Sequence, residues 1–332
     1  MFRQKLAACA AAALLTMTGL PGLNHLNNLN AWAGEMTNVA ITYIVDHPAI
    51  DAARKGVIDE LAEAGYKEGE TLTLHVQSAQ GSMPTQLQIA KKFAGMRPDL
   101  LVAISTPSAQ ALQSAADGKI PIVFSAVTDP VGSKLVKSME APGGNITGTS
   151  DQQPFGPTLK LIKRLVPEAK KLGVIYNAGE ANSVAQVEAL KAALADYGLE
   201  LEESTASQTA MVPDAALSLA GRADVILIPT DSTVVAAIES VVNVGRKAKV
   251  PVFASDTDSV KRGALAALGF DYYKLGRLTG KMAVRILKGE SPAAIPVGVL
   301  DTQDLYLNKT SAAAMGVAVP DDLLETATKV IE

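Results

Sequence analysis

The chain has 332 residues, 48% of them hydrophobic, with 30 lysines and arginines against 34 aspartates and glutamates. A net charge of −4 excludes the basic surfaces that nucleic acid or an anionic membrane would need. A single cysteine, Cys9, excludes a disulfide framework, and no two histidines have metal-ligand spacing.

At the N-terminus Arg3 and Lys5 precede an uncharged apolar stretch, Leu6 to Leu20. Ala31-Trp32-Ala33 then sets small residues at both key positions of a signal-peptidase site. Residues 1–33 therefore read as a cleaved secretory signal, and the exported chain begins at Gly34. The apolar stretch is shorter than the roughly 20 residues that span a bilayer. Leu6-Ala7-Ala8-Cys9 comes too early to be a lipoprotein box. Loss of Arg3 and Lys5 leaves 28 basic against 34 acidic residues, a charge of −6, and Cys9 leaves with the signal. The exported chain then has no thiol chemistry, and its length suits two domains.

Strands are predicted at NVAITYIV (38–45), TLTLHVQ (71–77), DLLVAIS (99–105) and IPIVFS (120–125), with helices near 49–64, 84–96 and 107–116. Residues 141–158, rich in Gly, Pro and polar side chains, break this rhythm and form the candidate crossing between domains. The alternation resumes at KLGVIY (171–176), LELEEST (199–205), DVILIP (224–229), PVFA (251–254) and ALAALGF (264–270). A long helix follows near 272–288, then IPVGVL (295–300) and a final DDLLETATKVIE. Continuous apolar strands alternating with helices imply parallel sheets covered on both faces. The fold class is α/β, with two halves of similar plan.

Two segments repeat one design about 125 positions apart: DLLVAISTPSAQA (99–111) and DVILIPTDSTVVAA (224–237). Each takes an apolar strand into a cluster of small polar residues at a helix start. In an open parallel sheet that is where ligands bind, beside unpaired helix N–H groups. The rival role for the same residue types is N-capping. Further polar strand ends are VDHPA (45–49), SAVTDP (125–130), IYNAGEANS (175–183) and FASDTDS (253–259). Acids recur on them at Asp46, Asp129, Asp231, Asp256 and Asp271, where a ligand ammonium or hydroxyl can use them. No strand is followed by G-x-G-x-x-G or a P-loop, and no G-x-S-x-G elbow accompanies His47. No enzyme activity, cofactor or metal is expected.

The stretches IVDHPAID, ISTPSAQA, PIVFSAVTDPVGSKLV, PGGNITGTSD, PTDSTV and GALAALGFDYYKLGR resemble the solute-binding components of ABC transporters, in the tryptophan/tyrosine-binding-like family with the type I periplasmic binding protein fold. The resemblance spans about residues 37–320. It implies two doubly wound parallel-sheet lobes joined by a hinge: residues 36–150 plus 271–292, and residues 151–270 plus 293–332. It also implies a periplasmic monomer that binds a small, amino acid-like solute and meets an ABC permease and ATPase. The ligand would sit between the lobes among Asp46, His47, Ser105, Thr106, Ser108, Thr128, Asp129, Asn177, Thr230, Asp231, Asp256 and Asp271. Of these, Ser105, Thr106, Ser108 and Thr128 would hold an α-carboxylate. Asp231, Asp256 or Asp271 would hold an α-ammonium, with His47, Phe155, Tyr176 and Phe270 beside the side chain. Aromatic residues are only 4% of the chain, which leaves a smaller amino acid or amide open as cargo. A sensory module without transport, or a sugar binder of the same fold, is the alternative.

Overall fold

The computed structural model of the protein describes residues 36–332, so the predicted signal lies outside the described residues. In the first lobe β1 (Thr37–Tyr43), β2 (Leu72–Ser78), β3 (Leu100–Ile104), β4 (Ile122–Ser125) and β5 (Ile146–Gly148) form one parallel sheet in the order β2-β1-β3-β4-β5. Helices α1 (Pro48–Glu63), α2 (Met83–Met96) and α3 (Thr106–Ala116) connect the strands. The central strand β3, LLVAI, is apolar throughout and fully buried because both its faces are covered, whereas the edge strand β2, LTLHVQS, is mostly half-buried. Ala40, Leu101, Ala103 and Phe124 pack on the α2–α3 side, and Val39, Ile41, Leu100 and Val102 pack on the other.

The chain crosses at 149–154 into α4 (Phe155–Leu165) and a second sheet. Its strands are β6 (Lys171–Tyr176), β7 (Glu200–Thr205), β8 (Val225–Ile228), β9 (Val252–Ala254), β10 (Ala266–Gly269), β11 (Asp304–Asn308) and β12 (Lys329–Ile331). Their order is β12-β11-β10-β9-β8-β6-β7, parallel except where β10 meets β11. The accompanying helices are α5 (Ala181–Leu194), α6 (Val212–Ala220), α7 (Ser232–Ala236), α8 (Ile238–Ala248) and α9 (Thr257–Lys261).

A second crossing at 270–271 returns the chain to the first lobe as α10 (Tyr272–Leu287), which packs lengthwise on α1. The two helices touch backbone to backbone: a Cβ on Gly276 would lie 2.0 Å from the Ala53 carbonyl oxygen. The third crossing falls at 299–303, not at 293. Ile295 is buried in the first-lobe core, and the Gly298 N–H donates to the Gly148 carbonyl at 2.9 Å. The apolar run 295–300 thus stays on the first lobe, and only β11 joins the second. Helices α11 (Lys309–Met315) and α12 (Asp321–Thr326) finish that lobe.

Candidate functional site

Strands β2-β1-β3-β4-β5 and β7-β6-β8-β9-β10 share one winding order. In such sheets the chain reverses direction between the first and third strands of the winding, and a crevice opens there at the carboxyl ends. The reversal lies between β1 and β3 in one lobe and between β6 and β8 in the other. A small cavity is lined from both sides by residues that follow these strands.

The first-lobe wall is built on the start of α3. Ser105 is its N-cap, yet its hydroxyl makes no capping bond. Its backbone sits at φ 84°, ψ 158°, a region that L-residues enter at a cost of about 1–3 kcal/mol. The position is held because the Ser105 N–H donates to the Ser125 carbonyl on β4 at 2.9 Å. Behind it, Ser108 donates to Gln86 Oε1 at 3.1 Å and lies 3.3 Å from the Ser105 hydroxyl. Thr106 is 1% exposed, and its Oγ1 has no partner. His47 caps α1 by accepting the Ala49 N–H at Nδ1, 3.2 Å. The neutral ring therefore carries its proton on Nε2, which is buried without a partner. Burial pushes the His47 pKa down against the pull of Asp256.

The second-lobe wall is acidic. Asp231 caps α7 by accepting the Val234 N–H at 2.8 Å, and its other oxygen accepts from the Asn177 N–H and Ser183 Oγ, both at 2.6 Å. Burial, and then the nearby Glu180 carboxylate, push its pKa up to about 7. Asp256 caps α9, accepting the Ser259 N–H at 2.8 Å and the Ser259 hydroxyl at 2.6 Å. Asn182 donates to the Thr230 carbonyl at 2.9 Å, which leaves its own Oδ1 buried and unpaired. Between the lobes Asp151 accepts from Thr128 Oγ1 at 3.0 Å and from Tyr272 Oη at 2.7 Å. Burial raises the Asp151 pKa. The cavity lining thus holds three carboxylates and one imidazole, with no lysine or arginine.

Of the twelve residues singled out from the sequence, His47, Ser105, Thr106, Thr128, Thr230, Asp231 and Asp256 line this cavity. The other five stand elsewhere. Ser108 lies behind Ser105 on Gln86. Asp129 accepts the Gly132 N–H at 2.7 Å within its own turn, and Asp271 caps α10 through the Lys274 N–H at 3.1 Å. Asp46 and Asn177 lie on a separate, wider cleft between the lobes. Phe155 packs in the second-lobe core and the Tyr176 hydroxyl donates to Glu203, and neither they nor Phe270 line the cavity. Asp151, Asn182 and Tyr272 do line it and were not singled out. Asp151 and Tyr272 fall within the quoted segments PGGNITGTSD and GFDYYK, as the residues that follow β5 and β10.

Two lobes of one winding order that present their strand ends to a shared cavity define a substrate-binding protein of the type I periplasmic binding class. The chain belongs to the ABC transporter substrate binding protein family, whose model matches residues 38–331. It is 41% identical over 319 residues to a tyrosine-binding protein of Clostridioides difficile strain R20291, covering 94% of this chain and 92% of that one. An ABC domain from Streptococcus pneumonia, solved in complex with L-Trp, is 35% identical with a TM-score of 0.86, over 89% of this chain and 100% of that one. The ligand-free, open structure of a substrate binding protein with adhesive properties from Clostridium difficile is 41% identical, with a TM-score of 0.67 over 89% and 99%. Among the described residues no helix is long and apolar enough to cross a membrane.

Proposed function

We propose that the chain is the extracytoplasmic receptor of an ABC importer and that its cavity encloses the zwitterion of an α-amino acid, aromatic amino acids being the first candidates. One observation carries this reading: the cavity has hydroxyls and an uncapped helix start on one wall, and carboxylates without a lysine or arginine on the other. A buried charge needs a partner. The α3 start with Ser105 and Thr106 suits an α-carboxylate, and the acidic side suits an α-ammonium. A sugar would supply no positive charge to that side. The names of two relatives point to aromatic amino acids, L-Trp in one and tyrosine in the other.

The TM-scores support closure around cargo. The more identical relative, described as open and ligand-free, superposes less well than the less identical L-Trp complex. Identity does not explain that order, whereas a wider angle between the lobes of the open form would. Release to a permease then requires the hinge to reopen. The predicted signal peptide and an ABC permease and ATPase as partners complete the proposal.

Calorimetric titration against the L-amino acids, with neutral sugars and amines lacking a carboxylate as controls, tests this reading. The expected result is binding at micromolar concentration or below by one or a few L-amino acids, with the controls silent. Small-angle scattering should show a smaller radius of gyration once the cargo is bound. Binding of sugars alone would overturn the proposal.

A further inference from the structure

Three buried carboxylates line the cavity, and a zwitterion brings one ammonium. The structure distinguishes them by what already holds them. Asp231 and Asp256 each accept a main-chain N–H that cannot turn away, Val234 in one case and Ser259 in the other. Asp151 accepts from two side-chain hydroxyls, Thr128 and Tyr272, and a hydroxyl can donate or accept. Asp151 is 4% exposed and takes part in no ion pair among the described residues. It lies in the first crossing, and Tyr272 begins α10 directly after the second, so their 2.7 Å bond ties the two crossings together.

We propose that Asp151 is the group that holds the cargo's ammonium, and that it stands protonated in the empty cleft and yields its proton to water as the ammonium takes its place. This rests on the amino acid reading of the site. The O–H bond of a neutral carboxylic acid breaks, the proton leaves to solvent, and no covalent bond forms to the cargo. A neutral acid thereby becomes the counter-charge only when there is a charge to counter. In the empty cleft the acid donates to one of its two hydroxyl neighbours, which reverses to accept. Burial favours the neutral form, the bonds from Tyr272 and Thr128 oppose it, and the nearby Asp256 reinforces it.

The other ionisable groups around Asp151 do not neutralise it. Tyr272 is pushed far above its usual range by burial and stays neutral. His47 is kept down by burial. Asp231 also keeps a proton up to about pH 7 through burial and Glu180, but both its oxygens are taken up by Val234, Asn177 and Ser183, and Asp256 is a further acid of the same cavity. Arg262, which lies near His47, is taken up by Glu239 at 2.6 Å and by the Val235 carbonyl at 2.7 Å. Asp258 pairs with Lys261 at 2.5 Å.

Titration with L-tryptophan, or with whichever L-amino acid binds most tightly, in buffers of different ionisation enthalpy counts the protons released. The expected count is about one per cargo in the acid range, with affinity rising about tenfold per pH unit there and levelling at higher pH. Asp151→Asn should abolish both the release and the slope, and weaken binding by about 30-fold or more at about pH 8. His47→Gln and Asp231→Asn should keep the release. Tyr272→Phe should move the break in the affinity curve to higher pH, because the anion loses a hydrogen bond, and this arm decides the matter even if Asp151→Asn does not fold. Cargo binding with no proton released, or release that persists in Asp151→Asn or disappears in Asp231→Asn, overturns the inference alone. Failure of every amino acid to bind overturns the reading of the site together with it.

Discussion

Helices α3 and α7 both begin where a short buried parallel strand ends, after an aspartate and an apolar run, in a cluster of serine, threonine and proline. At α3 the cap residue Ser105 turns into the left-handed half of backbone space, and its hydroxyl caps no main-chain N–H and lies 3.3 Å from the Ser108 hydroxyl. The first-turn Thr106 hydroxyl is left without a partner. At α7 the cap residue Asp231 stays extended and is fully engaged by Val234, Asn177 and Ser183. Glu180 takes up the Ser232 and Thr233 N–H groups of the same turn at 3.1 and 3.2 Å. One helix start is therefore left open toward the cavity, and the other is closed by its own chain. Polar residues after a strand become a binding surface only where the fold has not already used them.

The largest expected effect probes the closed start through pH. Asp231 has a folded pKa of about 7 because burial and Glu180 disfavour its anion. The unfolded carboxyl titrates near 3.9. The folded chain thus keeps a proton that the unfolded chain has shed. The stability this contributes is complete below about pH 4 and is lost as pH rises toward 7. Denaturant unfolding of wild type and Asp231→Asn should show wild type losing roughly 3 kcal/mol relative to the variant between about pH 5 and pH 8. Parallel curves would mean that Asp231 is charged and unburdened, and the contrast with α3 would break.

Thr106→Val tests the open start. In the empty cleft the substitution removes a buried hydroxyl that bonds to nothing. Stability should hold or rise by up to about 1 kcal/mol, while cargo affinity falls about 10- to 100-fold as the cargo loses a donor. Lower stability with unchanged affinity would make Thr106 a structural residue and the two helix starts alike.

A third start, at α9, lies between these two. Asp256 is a cap like Asp231, yet it faces the cavity beside Asp151 and His47. If the cap role dominates, Asp256→Ala should cost about 1 kcal/mol of stability. Affinity should then change by less than in Thr106→Val. Calorimetry beside a melting curve separates the two, and a collapse of binding at normal stability would move the ammonium from Asp151 to Asp256.

Much of the fold was legible because it rests on local pattern. LLVAI and VILI are apolar at every position and VAITY at all but Thr42, and strands covered on both faces read that way. β11 was not legible, since DLYLN is half-buried near the sheet edge and pairs antiparallel, and its neighbour IPVGVL carries the stronger apolar signal. At the site, the strand-end rule located residues after β1, β3, β4, β8 and β9. It passed over Asp151 and Tyr272 because their segments read as crossings, and over Asn182 because it lies inside the first turn of α5. The sequence also could not separate caps from open groups. The donors that close Asp231 arrive from Asn177 and Ser183, 54 and 48 positions away.

The smallest effect concerns how the α3 start is kept open. Ser105 occupies φ 84°, ψ 158°, which suits glycine and strains a side chain. Its conformation is fixed by the bond from its N–H to the Ser125 carbonyl, which glycine retains. Ser105→Gly should therefore relieve part of a strain of about 1–3 kcal/mol, offset by the roughly 0.5–1 kcal/mol of extra chain entropy that glycine loses on folding. The net expectation is a gain of about 1 kcal/mol in denaturant unfolding, with weaker cargo binding because one hydroxyl is gone. Ser105→Ala keeps the strain and loses the hydroxyl, so it should match the glycine variant in affinity and wild type in stability. If Ser105→Gly melts earlier than Ser105→Ala, the serine is not strained in place, and another feature of the turn keeps its hydroxyl from capping the helix.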